Sequence, residues 1–321
     1  MGLLPMEADI LPPSDDRVFK LILTDPEARQ GLMNLISSII DRTVVNVVLL
    51  PNELAPGDTE EKAERFDVNC KIDDGTQVNL EMQASYMVED LDGQHRNFKG
   101  KSIYYLTDLH SSQPAKGLRR YDRLARSLQI TFCSYTVFPT AQDYVNSFSL
   151  RHDTTGELLS DAIRLTFVEL SKLDEVVRKP VSDMTDLDKW SVFFRYAPDL
   201  KHRKLVNKVI ESKEVLQVAG NLLMSISQNE RERAIYRSRR KFQTDLQSDL
   251  ATAEDNGRQI GRAEGRAEGR AEGKAEGRVE GRAERSMEIA RNALQKQMSI
   301  DDVVDITGLA RAEVERLADD M

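Results

Sequence analysis

Polar and apolar residues alternate in two short runs of the chain, 65–72 and 77–83. Such alternation is the mark of half-buried strands. Phe66, Val68, Cys70 and Ile72 share one face of the first run, and Val78, Leu80 and Met82 share one face of the second. The connection Asp73, Asp74, Gly75 reads as a three-residue hairpin loop with glycine in the left-handed position. That loop pairs Ile72 with Thr76, and therefore Val68 with Leu80 and Asp67 with Glu81. A two-residue loop would set Asp67 against Met82 and mix polar with apolar faces. The pattern thus places two carboxylates across from each other, with Cβ atoms about 5 Å apart. Like charges so placed repel, and a shared divalent cation is the usual reason to keep them. Gln83 points to the same side as Glu81.

Around this hairpin the periodicity changes repeatedly. Residues 15–41 read as a helix interrupted near Pro26, with Val18, Phe19, Ile22 and Leu23 on one stripe and Leu32, Leu35, Ile36, Ile39 and Ile40 on the next. A β-branched run over 44–50, ended by Pro51, predicts a strand, and 52–64 a charged loop. Phe98, Ser102, Tyr105, Leu106 and Leu109 fall on one helical face, with Tyr104 and Tyr105 expected in the core. Strands follow over 130–138, ended by Pro139, and over 163–170, after a loop at 152–156. The order α, β, β, β, α, β, β predicts an α/β fold, a mixed sheet flanked by helices.

From Thr185 onward the pattern is helical. Trp190, Phe193 and Phe194, then Leu205, Val209, Val215 and Leu216, mark a small helical subdomain, and 229–250 a charged, solvated extension. Next comes a four-residue Gly-Arg-Ala-Glu repeat with glycine at 257, 261, 265, 269, 273, 277 and 281. Two readings fit it: a polar linker, or helices of two copies packed through their small residues with Arg rows against Glu rows. Beyond it, Ser299 caps a short helix and Thr307, Gly308 and Leu309 turn into another. The pair resembles a helix-turn-helix in outline, but its acidic surplus suits packing or oligomerisation better. The expected divisions are 1–180 for the sheet-bearing core, 181–256 for the helical subdomain and charged helix, 257–285 for the repeat, and 286–321 for the helix pair.

A net charge of −9 over 321 residues excludes a globally basic, DNA-coating protein. No run is apolar and long enough to span a bilayer, and the first residues lack the pattern of a secretory signal, which points to the cytoplasm. Cys70 and Cys133 fall in expected strands and read as small buried hydrophobes, and the four histidines lack zinc-ligand spacing.

An Asp on one strand followed by Glu-x-Gln on the next resembles the PD-(D/E)XK restriction-endonuclease-like core, with Gln83 in place of the usual Lys. Asp16-Arg-Val-Phe-Lys20, Phe66-Asp67-Val68, Leu80-Glu-Met-Gln83, the Tyr-rich helix and the glycine-repeat tail resemble the Rpn family of recombination-promoting nucleases, also described as transposases. That resemblance implies Mg²⁺-dependent DNA cleavage of low sequence selectivity in recombination. Asp67, Glu81 and the main-chain carbonyl of Met82 would hold the metal, and Gln83 would touch the attacking water or a phosphate oxygen. An amide has no basic site at neutral pH, so Gln83 cannot take the proton. Asp16 suits either a helix N-terminus or a third carboxylate. Lys20 and two basic clusters are the expected DNA contacts: His95, Arg96, Lys99 and Lys101, then Lys116, Arg119, Arg120, Arg123 and Arg126. The alternative is a catalytically weak or inactive relative that binds DNA or assembles through the tail into a homo-oligomer.

Overall fold

Six strands form one sheet in the order β1-β2-β3-β4-β6-β5 in the computed structural model, which describes residues 3–51, 67–84, 96–113 and 121–320. The strands are β1 (Val47–Leu49), β2 (Val68–Ile72), β3 (Gln77–Gln83), β4 (Ser127–Cys133), β5 (Val145–Arg151) and β6 (Leu158–Glu169). β1, β2 and β3 run antiparallel in turn, β3, β4 and β6 run parallel, and β5 closes one edge antiparallel to β6. The sheet is therefore mixed, as the alternation of elements predicts.

Helices α1 (Asp16–Thr24) and α2 (Arg29–Ile40), separated by a 3₁₀ turn at Pro26–Ala28, cover one face. Val18, Phe19, Ile22 and Leu23 of α1 are buried against that face, on which β2 and β3 present Val68, Cys70, Val78, Leu80 and Met82. The rings of Phe19, Phe132 of β4 and Phe194 meet at centroid distances of 5.7, 5.2 and 5.3 Å. Burying each of these side chains contributes about 1.5–3 kcal/mol. Phe194 lies on α4 (Asp186–Tyr196), which with α5 (Arg203–Glu211) and α6 (Glu214–Gln228) joins the same core. Trp190 of α4 packs over Gly31 of α2, where a β-carbon would lie 3.3 Å from the ring, and its indole N–H donates to Asn34. The opposite face of the sheet carries α3 (Arg96–Ser111), whose Ser102, Leu106 and Leu109 are buried.

Several expected boundaries shift, each for a local reason. The strand expected over 130–138 is β4, and it stops at Cys133. Residues beyond it leave the sheet to wrap the buried carboxylate of Glu169, which accepts the Val137 and Phe138 N–H groups, a bond from Asn146 and an ion pair from Lys172 at 2.7 Å. The strand expected from 163 begins at Leu158, because Leu150 and Arg151 at the end of β5 pair with Ser160 and Leu158, ahead of the stretch that β4 pairs. β5 itself was not foreseen: its alternation is broken by polar residues and by register shifts between Phe148 and Arg151. The run at 44–50 narrows to three residues. Tyr104, expected in the core, is 56 % exposed. The charged loop 52–64 and Phe66 lie outside the described residues.

The chain divides into two compact units, Met1–Arg237 and Ser238–Met321. α7 (Glu230–Gln295) contains the whole repeat, with every residue from 257 to 284 exposed. In the second unit, Ala290 and Ala293 pack with Val303 of α8 (Ile300–Thr307) and Val314 of α9 (Arg311–Asp319). Ser299 caps α8 by accepting the Asp302 N–H, and Gly308 ends it with φ of 68°, as the pattern there predicts. Among the described residues no helix is long and apolar enough to cross a membrane.

Candidate active site

The hairpin register is the expected one. Val68 opposes Leu80, the Ile72 N–H donates to the Thr76 carbonyl at 3.0 Å, and Gly75 turns the chain with φ of 90°. Continuing that register sets Asp67, the residue before β2, opposite Glu81. The strand partner that would next bond to β3 is replaced by a side chain: Oδ2 of Asp67 accepts the Met82 N–H at 2.9 Å. Alternate residues of an antiparallel strand direct both amide groups to the same edge, so the Met82 carbonyl shares that edge with its N–H.

Glu81 is buried on the sheet face beneath α3. Two donors hold its carboxylate. Lys101 of α3 reaches Oε1 at 2.9 Å, and Gln129 of β4 donates to Oε2 at 3.2 Å. Gln129 is fixed in turn by Asn79 at 2.8 Å and donates to Thr131 at 3.1 Å. The parallel pairing of β3 with β4, Asn79 with Gln129 and Glu81 with Thr131, brings these polar side chains to one face. A buried carboxylate is tolerated only with such partners.

Asp67 titrates far from its usual range. Burial pushes its carboxyl up to about 7; the Met82 N–H opposes the shift, Glu81 and Asp16 add to it, and Lys101 opposes it. Burial works against the charge on Lys101, yet attraction to Glu81 and their hydrogen bond outweigh it, so its ammonium sits above its usual value. Lys101 is thus a cation here rather than a proton acceptor. Asp16 is the first residue of α1. Asp15 caps the helix by accepting the Arg17 and Val18 N–H groups, which leaves Asp16 close enough to act on Asp67. α1 is held there by its apolar stripe and by Arg17, which forks onto Glu232 at 2.6 and 2.8 Å.

The structure therefore brings together Asp67, Glu81, Lys101 and Asp16. Gln83, half-buried and paired in register with Cys133, lies two residues along the same face as Glu81. Other expected DNA contacts disperse. Lys99 turns away from Glu81, its ammonium 4.9 Å above the Phe138 ring. Lys20 is half-buried one turn along α1 from Asp16, Arg96 opens α3, and Arg123 is exposed in a 3₁₀ turn at Tyr121–Arg123. Arg119, Arg120, Lys116 and His95 lie outside the described residues. The sequence reading missed the pairing of Lys101 with Glu81 and the support from Asn79, Gln129 and Thr131. The alternation of Ser127, Gln129 and Thr131 with Leu128, Ile130 and Phe132 carries the signal for the latter. Cys70 and Cys133 are free and buried as expected, and burial pushes the Cys70 thiol up to about 12.

The shifted carboxyl has a consequence for stability. A carboxyl whose proton the folded state holds more tightly makes folding less favourable as pH rises from its usual 3.8 to about 7, and the cost is constant above that. Asp67→Asn is expected to raise the melting temperature at pH 8 and to change it much less at pH 4, as thermal unfolding at the two pH values will show. An equal shift at both would mean that the carboxylate charge is not costly in the fold.

A family model described as PD-(D/E)XK nuclease family transposase matches residues 13–253, about three quarters of the chain. No curated protein and no solved structure matches.

Proposed function

We propose, because this chain belongs to the PD-(D/E)XK nuclease family transposases, that it is a Mg²⁺-dependent DNA endonuclease acting in recombination. Asp67, Glu81 and Lys101 form its catalytic centre in this reading. The observation that carries it is a pair of facing carboxylates, Asp67 accepting the Met82 N–H and Glu81 ion-paired to Lys101, close enough for each charge to act on the other.

The donor chemistry suits a hard cation. All the donors are oxygens, and burial together with the neighbouring acids Glu81 and Asp16 raises the Asp67 carboxyl to about 7, an unfavourable negative charge that a divalent ion relieves. Among the described residues no group of three or more His, Cys, Asp or Glu could hold a metal ion. The protein's share is then two carboxylates and the Met82 carbonyl, with substrate phosphate completing the set, the mode in which Mg²⁺ is commonly bound. Bound there, the ion would polarise the scissile phosphate and acidify the attacking water. Lys101, charged and oriented by Glu81, stabilises negative charge developing on the phosphoryl oxygens. It supplies from a helix the cation that the motif usually carries at the position of Gln83. Gln83 can orient water or phosphate through its amide without taking a proton. Lys20, Arg96, Arg119, Arg120 and Arg123 contact phosphates, which gives sequence-tolerant binding. Two free, buried thiols accord with a reducing cytoplasm.

The test is incubation of supercoiled plasmid with Mg²⁺ and either the wild type or Asp67→Ala. Nicking by the wild type alone supports the endonuclease. Equal inactivity of both across several divalent metals would leave a DNA-binding relative.

The same reading makes the protein a homo-oligomer assembled through the repeat. A β-carbon placed on any of the glycines from 257 to 281 would meet no atom within 4 Å, so the small-residue row is open along its length. Each of these glycines costs roughly 1 kcal/mol relative to alanine in a helix, a cost that pairing with a second copy offsets. Arg and Glu lie on opposite flanks, so two such helices are charge-complementary. Deleting 257–285 is expected to lower the mass measured by light scattering while nicking persists. An unchanged mass would remove the repeat from assembly.

A further inference from the structure

On the other side of α3 from Lys101 lies an open cavity of about 330 Å³, walled by α3, β5, β6 and the segment that wraps Glu169. Three aromatic rings build it. Phe138 lies 5.1 Å from Phe148 and 5.2 Å from Phe167, and Phe148 lies 6.0 Å from Phe167, centroid to centroid. Phe148 is 46 % exposed, so part of its ring is available to a ligand. Lys99 stands over Phe138, and the walls include Thr107 and Ser149.

The cavity opens on the sheet face that carries Glu81. Glu81 pairs with Thr131, Thr131 with Phe167, and Phe148 with Leu165 one step along β6. Two strand spacings, about 10 Å, therefore separate Glu81 from Phe167. α3 packs on β4 and β6 between the two, so a DNA strand that reaches both passes around the helix, over more than about three steps of 3.4 Å.

We propose that this cavity receives a nucleobase unstacked from the DNA a few nucleotides from the scissile phosphate, with Lys99 on the adjoining phosphate. The proposal rests on the endonuclease reading of the neighbouring site. Aromatic faces beside a cation form the recurrent platform for unpaired bases, because every base presents a π-face and every nucleotide a charge. An aliphatic ligand would use the apolar walls but neither the π-face of the exposed Phe148 ring nor Lys99. A base within an intact duplex cannot enter, so the substrate class is DNA with an unpaired or readily flipped nucleotide a few positions from the cut.

The experiment measures fluorescence anisotropy of two labelled strands of equal length, an oligothymidylate and its abasic counterpart, without divalent metal so that nothing is cut. The wild type is expected to bind the base-bearing strand about tenfold more tightly, the worth of one stacking contact. Phe148→Ala is expected to remove that preference, and Phe148→Trp to retain it. Equal binding of the two strands by the wild type, or an undiminished preference in Phe148→Ala, overturns the proposal and leaves the cavity to an apolar side chain of a partner protein. Plasmid nicking by the same preparations separates the two ideas. Nicking without base preference sinks the cavity assignment alone, and base preference without nicking under any metal sinks the endonuclease alone.

Discussion

Replacing Glu81 by Gln is expected to lower Mg²⁺-supported plasmid nicking by about 10³-fold, the rate equivalent of the several kcal/mol that a bound cation contributes. The melting temperature should fall, but the protein should stay folded at the assay temperature: the amide oxygen can accept from one of Lys101 and Gln129, while the NH₂ group faces the other donor. What is lost is the negative charge, and with it the ion. Should nicking fall in proportion to a loss of folded protein instead, Glu81 would be a structural acid and the catalytic assignment would fail.

The second large effect concerns Lys101. Lys101→Met keeps most of the side-chain volume and removes the ammonium. Nicking is expected to fall by about 10²-fold, on the scale of losing one oriented donor to a developing oxyanion. Because Gln83 lies two residues from Glu81 on the same face, Lys101→Met combined with Gln83→Lys should recover part of the rate, since the new ammonium approaches the same carboxylates from the strand. Rescue of this kind is not expected if Lys101 only neutralises Glu81 in the ground state. Full activity of Lys101→Met would exclude it from the chemistry.

The hairpin was readable from the chain because its two faces differ so sharply. Val68, Cys70, Val78 and Leu80 must share one side, and Gly75 leaves one loop length that permits it. Asp67 and Glu81 then follow from period alone. The origin of the cation was not readable in the same way. Lys101 lies twenty residues beyond Glu81 on another element, and only the docking of α3 over β4 and β6 brings them together; its neighbour Lys99, identical in local sequence terms, turns to Phe138 instead. β5 stayed hidden for a different reason. An edge strand with irregular register and exposed residues on both faces carries no periodic signal. The repeat shows the limit most plainly, since its spacing predicts rows on a helix but not what covers the row of glycines that the single chain leaves open.

The most direct test of a shared ion at Asp67 and Glu81 is Mn²⁺ binding followed by electron paramagnetic resonance, with Asp67→Ala and Glu81→Ala beside the wild type at pH 8. Loss of the free-ion signal on adding wild-type protein, with a large drop in affinity in each single variant, is the expected result. Binding that survives both substitutions, or none by the wild type even with DNA present, would contradict it.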